Sequence, residues 1–129
     1  SKSIEIKNMK KLSEFIQKEK NGRITICGEN GSGKSTILAV LKEKLGDDAY
    51  LFSQCLNLYF DGSDSDSKSS GEEAVIKLEN ILNKVYVNYL LLDEWDANLD
   101  KYNISILSSK INNVAKHKLI IEVRHRNTE

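Results

Sequence analysis

Residues Gly28 to Ser35 read Gly-Glu-Asn-Gly-Ser-Gly-Lys-Ser and fit the pattern G-x-x-x-x-G-K-[ST]. Glycines at Gly28, Gly31 and Gly33, with Glu29, Asn30 and Ser32 between them, let successive backbone N–H groups curl around a phosphate without Cβ clashes. A helix N-terminus following such a loop adds partial positive charge. The Lys34 ammonium then suits the β- and γ-phosphates of a nucleoside triphosphate. The Ser35 hydroxyl suits Mg²⁺ and the Thr36 hydroxyl the α-phosphate.

A second group, Tyr89-Leu90-Leu91-Leu92-Asp93-Glu94, is an apolar run that ends in two carboxylates. Asp93 is suited to hold Mg²⁺, directly or through water, while Glu94 is suited to polarise a water facing the γ-phosphate. Paired acids at a strand end point to hydrolysis rather than to phosphoryl transfer onto a second substrate. A small phosphoryl-transfer enzyme would also need a basic lid, whereas the central segment offers Asp61, Asp64 and Asp66 against Lys68.

These groups need rigid elements to position them, and short apolar runs alternating with helical spacing predict strand–helix units around a parallel sheet. Ile4 and Ile6 make a short opening strand, followed by a helix face of Met9, Leu12, Phe15 and Ile16, on which Phe15 reads as core. Arg23 to Cys27 reads as a buried strand leading into the glycine loop, and Ile37, Leu38, Leu41 and Leu45 mark the helix after it. Gly46 stands where a C-cap glycine is common. Tyr50 to Phe52 is a brief strand, and residues 71 to 85 form a helix with Val75, Leu78, Ile81, Leu82 and Val85 on one face. Tyr89 to Leu92 is a strand, and residues 100 to 116 form a helix with Ile104, Leu107, Ile111 and Val114 inward. Leu119 to Val123 is the last strand. Asp61 to Ser70, rich in Ser and Asp, has too little apolar content to bury anything and is expected to be a loop or disordered.

With 129 residues the chain is expected to form one domain. Nineteen Lys+Arg balance nineteen Asp+Glu, which leaves no large basic field to hold nucleic acid, so no direct nucleic-acid partner is expected. Cys27 and Cys55 lie far apart without C-x-x-C spacing, suggesting neither a disulfide framework nor a zinc site. No apolar run reaches the roughly 18 residues of a membrane span, so any span is expected from other polypeptide.

The string Leu90-Leu-Leu-Asp-Glu-Trp-Asp-Ala-Asn-Leu-Asp100 resembles the Walker B and D-loop run of ABC-type ATPases, in which an acid pair is followed six residues later by an aspartate in a Leu-Asp step. Gln54 is similar to the family's Q-loop glutamine, which senses Mg²⁺ and water and couples to a membrane partner. His125 is similar to the switch histidine at the γ-phosphate. Ser69-Ser70-Gly71-Glu72 resembles the signature motif, with Ser69 and Gly71 in its serine and second-glycine positions. The resemblance therefore runs in the family's order from Gly28 to His125.

It implies a three-layer α/β P-loop core, with a mostly parallel sheet in which the strand before His125 separates the phosphate-loop strand from the Walker B strand. It also implies ATP and Mg²⁺ as ligands, with Glu94, His125, Lys34 and Gln54 catalytic and Ser35, Gln54 and Asp93 around the metal. ATP binding by the loop and Thr36 would be completed by Ser69, Gly71 and Asp100 in a head-to-tail dimer with a second such domain. A transmembrane partner and a place on the cytoplasmic side of the membrane, powering export, follow from the same resemblance.

The sequence departs from the family at Lys68, Ser70 and Trp95, where the family has leucine, glycine and proline. Only fourteen residues separate Gln54 from Ser69, in place of a whole helical subdomain. These departures keep open a regulatory nucleotide-binding module with little turnover. ABC-type chromosome and DNA-repair ATPases fit less well, because they carry long coiled-coil insertions where this chain is shortened.

Overall fold

The computed structural model describes residues 2–4, 14–16, 18–26, 34–53, 70–84, 86–97 and 99–124. Strand β1 (Lys2–Ile4) is followed by a helical stretch at 14–16, and then by β2 (Gly22–Ile26) and helix α1 (Lys34–Leu45). A short 3₁₀ turn (Gly46–Asp48) leads into β3 (Ala49–Ser53), and helix α2 (Ser70–Lys84) precedes β4 (Tyr89–Asp93). Helix α3 (Lys101–Val114) and β5 (Leu119–Val123) complete the described elements. The five strands form one sheet in the order β1-β2-β5-β4-β3, and every pairing is parallel. The expected α/β architecture is therefore present, and among the described residues every strand pairing is parallel.

Side-chain alternation along the strands splits the core in two. On one face Ile24, Ile26, Leu91, Leu119, Ile121 and Val123 pack against Leu38 and Leu41 of α1 and against Ile16, with Phe15 beside them. On the other face Phe52, Leu90, Leu92 and Ile120 meet Leu78 and Leu82 of α2 and Leu107 and Ile111 of α3. β4 supplies both cores, Leu90 and Leu92 to one and Leu91 to the other, which is why its sequence is a continuous apolar run rather than an alternating one. Burying each such side chain contributes about 1.5–3 kcal/mol.

Element ends differ from the sequence expectations by one or two residues. α3 starts at Lys101 rather than at residue 100 and closes at Val114 rather than at 116, because Asp100 is its N-cap and residues 115–117 turn. α2 takes in Ser70, which the sequence assigns to the loop, and β3 and β4 extend to Ser53 and Asp93. β2 begins one residue earlier, at Gly22, whose φ of 125° lies in a region open to glycine. Gly46 has φ 63° directly after the last residue of α1, the left-handed conformation of a helix-terminating glycine. Lys42 reinforces that end by donating to the carbonyls of Gly46 and Ala49 at 2.9 and 2.7 Å. Ile6, Met9, Leu12, Cys27, Cys55, residues 61–69 and Val85 lie outside the described residues.

Candidate functional site at the carboxyl edge of the sheet

Because all five strands run in parallel, their carboxyl ends lie along one edge. At that edge Ile26, Val123, Asp93 and Ser53 are in register across β2, β5, β4 and β3. In the sequence the phosphate-loop pattern, Gln54, Glu94 and His125 come directly or within two residues after these strand ends, and Asp93 is itself one of them. Ligands of open parallel sheets bind outside this edge. β5 lies between β2 and β4, the strand order that the resemblance implies.

α1 begins at Lys34, with Ser35 and an exposed Thr36 in its first turn. That turn carries no acidic residue, while Lys42 and Lys44 occupy the last turn. The basic last turn suits the helix dipole, and a first turn without carboxylates leaves the positive end for an anion. Gly71 lies in the first turn of α2, followed by exposed Glu72 and Glu73. Gly28, Glu29, Asn30, Gly31, Ser32, Gly33, Gln54, Ser69 and His125 lie outside the described residues.

The acid pair is the best-defined part of the site. Asp93 is the last residue of β4 and is half-buried. Glu94, also half-buried, has φ 51°, the left-handed region that a residue with a Cβ enters only at a cost. Its N–H donates to the Val123 carbonyl at 2.8 Å, and its own carbonyl accepts from the Ala97 N–H at 3.2 Å. Trp95 is fully buried and its Nε1 donates to Glu122 Oε1 at 2.6 Å. Arg124 Nε donates to Asp96 Oδ2 at 3.1 Å, and the same guanidinium lies 5.3 Å from the centre of the Trp95 ring. The other carboxylate oxygen of Asp96, Oδ1, is buried and has no hydrogen-bond partner among the described residues.

Asp100, assigned to the nucleotide on resemblance, has a local task. Its carboxylate accepts from the Asn103 N–H at 2.8 Å and caps α3.

Three polar residues beneath this edge, Glu122, Arg23 and Thr25, belong to none of the sequence motifs. Glu122 on β5, 1% exposed, accepts from Arg23 Nε at 2.8 Å, Arg23 Nη2 at 2.9 Å and Thr25 Oγ1 at 2.6 Å, besides the Trp95 indole. Arg23 Nη1 donates onward to the Ser108 carbonyl at 3.2 Å, Ser108 Oγ at 3.0 Å and Asn112 Oδ1 at 2.8 Å on α3. The available signal was the period-two alternation Arg-Ile-Thr-Ile and the lone acid inside Leu-Ile-Ile-Glu-Val.

Comparison with protein-family models, with curated proteins and with solved structures finds no match to this chain. Among the described residues, no helix is long and apolar enough to cross a membrane.

Proposed function

We propose that the chain is a P-loop domain that binds and hydrolyses ATP, of the ABC-transporter type, and that it powers export by closing head-to-tail with a second such domain. One observation carries this reading: β5 separates β2 from β4, while Asp93 ends β4 and Glu94 follows it at the same sheet edge as Ile26, the last residue of β2. An adjacent pairing of β2 and β4 would have favoured the kinase and GTPase class. The sequence motifs supply the rest of the support, since Gly28 to Ser35, Gln54, Asp93–Glu94, Asp100 and His125 follow the family's order.

The donor set suits Mg²⁺, with a half-buried carboxylate from Asp93 at a strand tip and a hydroxyl from Ser35, the remaining ligands being phosphate oxygens and water. When bound, the ion offsets the charge on the phosphates. The backbone of residues 28–33 and the Lys34 ammonium bind and orient the triphosphate. Glu94 accepts a proton from the water that attacks the γ-phosphorus in line, the bond from that phosphorus to the β–γ bridging oxygen breaks so that ADP leaves, and His125 contacts the γ-phosphate. Ser69 and Gly71 of the second domain cover the phosphate, and membrane-spanning segments on the cytoplasmic side receive the movement.

The test is ATP binding together with phosphate release at high protein concentration, with and without Mg²⁺. The reading expects saturable binding and Mg²⁺-dependent release that rises more steeply than protein concentration, as a dimer requires. Binding without release would instead assign the regulatory module, and absence of binding would refute both.

A further inference from the structure

We infer that Glu122, backed by Arg23, is a positioning residue for the Asp93–Glu94 turn and acts through the indole of Trp95. The inference rests on the ATP-hydrolysing reading above and gives a task to residues which that reading leaves without one.

Residues 94, 95 and 96 are each tied to the end of β5. The Glu94 N–H donates to the Val123 carbonyl, the Trp95 indole donates to Glu122, and Asp96 accepts from Arg124. Glu94 holds a left-handed backbone between these anchors, and a strained residue persists only where its surroundings over-determine it. The Trp95 indole suits the purpose because its N–H has a fixed direction and needs an acceptor when buried. A phenylalanine ring would fill space and set no direction.

The charged pair beneath is not accounted for by stability. Arg23 and Glu122 are 5% and 1% exposed, and apolar residues of similar volume in place of a buried ion pair are often neutral or stabilising. The same sheet face uses Leu90, Leu92 and Ile120 elsewhere. What an apolar pair would not supply is a fixed acceptor for the indole. Glu122 is itself held by Arg23 and Thr25, and Arg23 by Ser108 and Asn112 of α3, so the acceptor cannot swing away. Arg124 directly precedes His125, so the same anchoring lies next to the proposed γ-phosphate contact.

Two variants test this. R23M/E122L removes the acceptor together with its counter-charge, and Trp95→Phe removes the donor while leaving Glu122 bonded to Arg23 and Thr25. Each is compared with wild type for urea midpoint, ATP hydrolysis and amide exchange at residues 94–97. R23M/E122L is expected to fold, with a urea midpoint lowered only modestly, because no charge is left buried alone while the Trp95 indole and the Thr25 hydroxyl lose their acceptor. In both variants kcat falls by about ten- to a hundredfold, while KM for ATP stays within about twofold. Exchange of the Glu94 amide speeds up, while that of Ile24 and Ile121 in the central strands does not. Trp95 is the single tryptophan, so a changed emission maximum in R23M/E122L marks the lost bond directly. Folded variants with wild-type kcat, or with wild-type protection at Glu94, overturn the inference. If R23M/E122L fails to fold, Trp95→Phe decides alone. If wild type does not hydrolyse ATP, the functional reading fails, and amide exchange still decides whether Glu122 holds the turn.

Discussion

On one face of β2 and β5, Ile24, Ile26, Leu119, Ile121 and Val123 present aliphatic side chains to α1. On the other face of the same strands Arg23, Thr25 and Glu122 form a buried polar set that reaches α3 and Trp95. The two faces hold the sheet by different means. Aliphatic packing is non-directional and tolerates a lost methyl group, because neighbours relax partly into the space. The polar set is directional, and each of its members is satisfied by named partners, so removing one member leaves the others buried and unpaired. Directional bonding is concentrated where the chain turns out of β4 into the acid pair, while the face that only has to bury surface is left to isoleucine, leucine and valine.

The contrast can be broken most severely by Glu122→Ala, which leaves the Arg23 guanidinium buried without its carboxylate and is expected to cost about 3–5 kcal/mol. The neighbouring change Ile121→Val, on the aliphatic face, should cost only about 0.5–1.5 kcal/mol. Urea denaturation of the two variants checks the difference, and equal losses would remove the distinction between the faces. A smaller effect is expected from Asp100→Ala, which deletes the cap of α3 and should cost about 1 kcal/mol. Asp100→Asn keeps an acceptor for the Asn103 amide, so its urea midpoint should stay near that of wild type.

Much of this architecture was legible because its elements are marked locally. The run Tyr89 to Leu92 could belong only to an element buried on two faces, and Leu107 and Ile111 fall one helical turn apart on α3. Gly46 announced the end of α1 by residue type alone. The polar set was not legible, because Arg23 and Glu122 are 99 positions apart and become neighbours only when β5 inserts beside β2. Arg23 to Cys27 reads as a buried strand, and the alternation that sends Arg23 and Thr25 to the α3 face gains meaning only from its partner strand. Trp95 stood out only as a departure from the proline of the resembling family, and its indole bond explains why an aromatic donor serves there. The turn at Glu94 carries no glycine, so nothing in the sequence marked its left-handed backbone.

In the proposed ATP-hydrolysing site, Glu94 is the base. The most direct test of that role is single-turnover phosphate release by Glu94→Gln alongside ATP-binding titrations of the same protein. Removal of the base is expected to lower the rate by about a hundredfold or more while ATP affinity is retained. Phosphate release at the wild-type rate in Glu94→Gln would show that Glu94 is not the base.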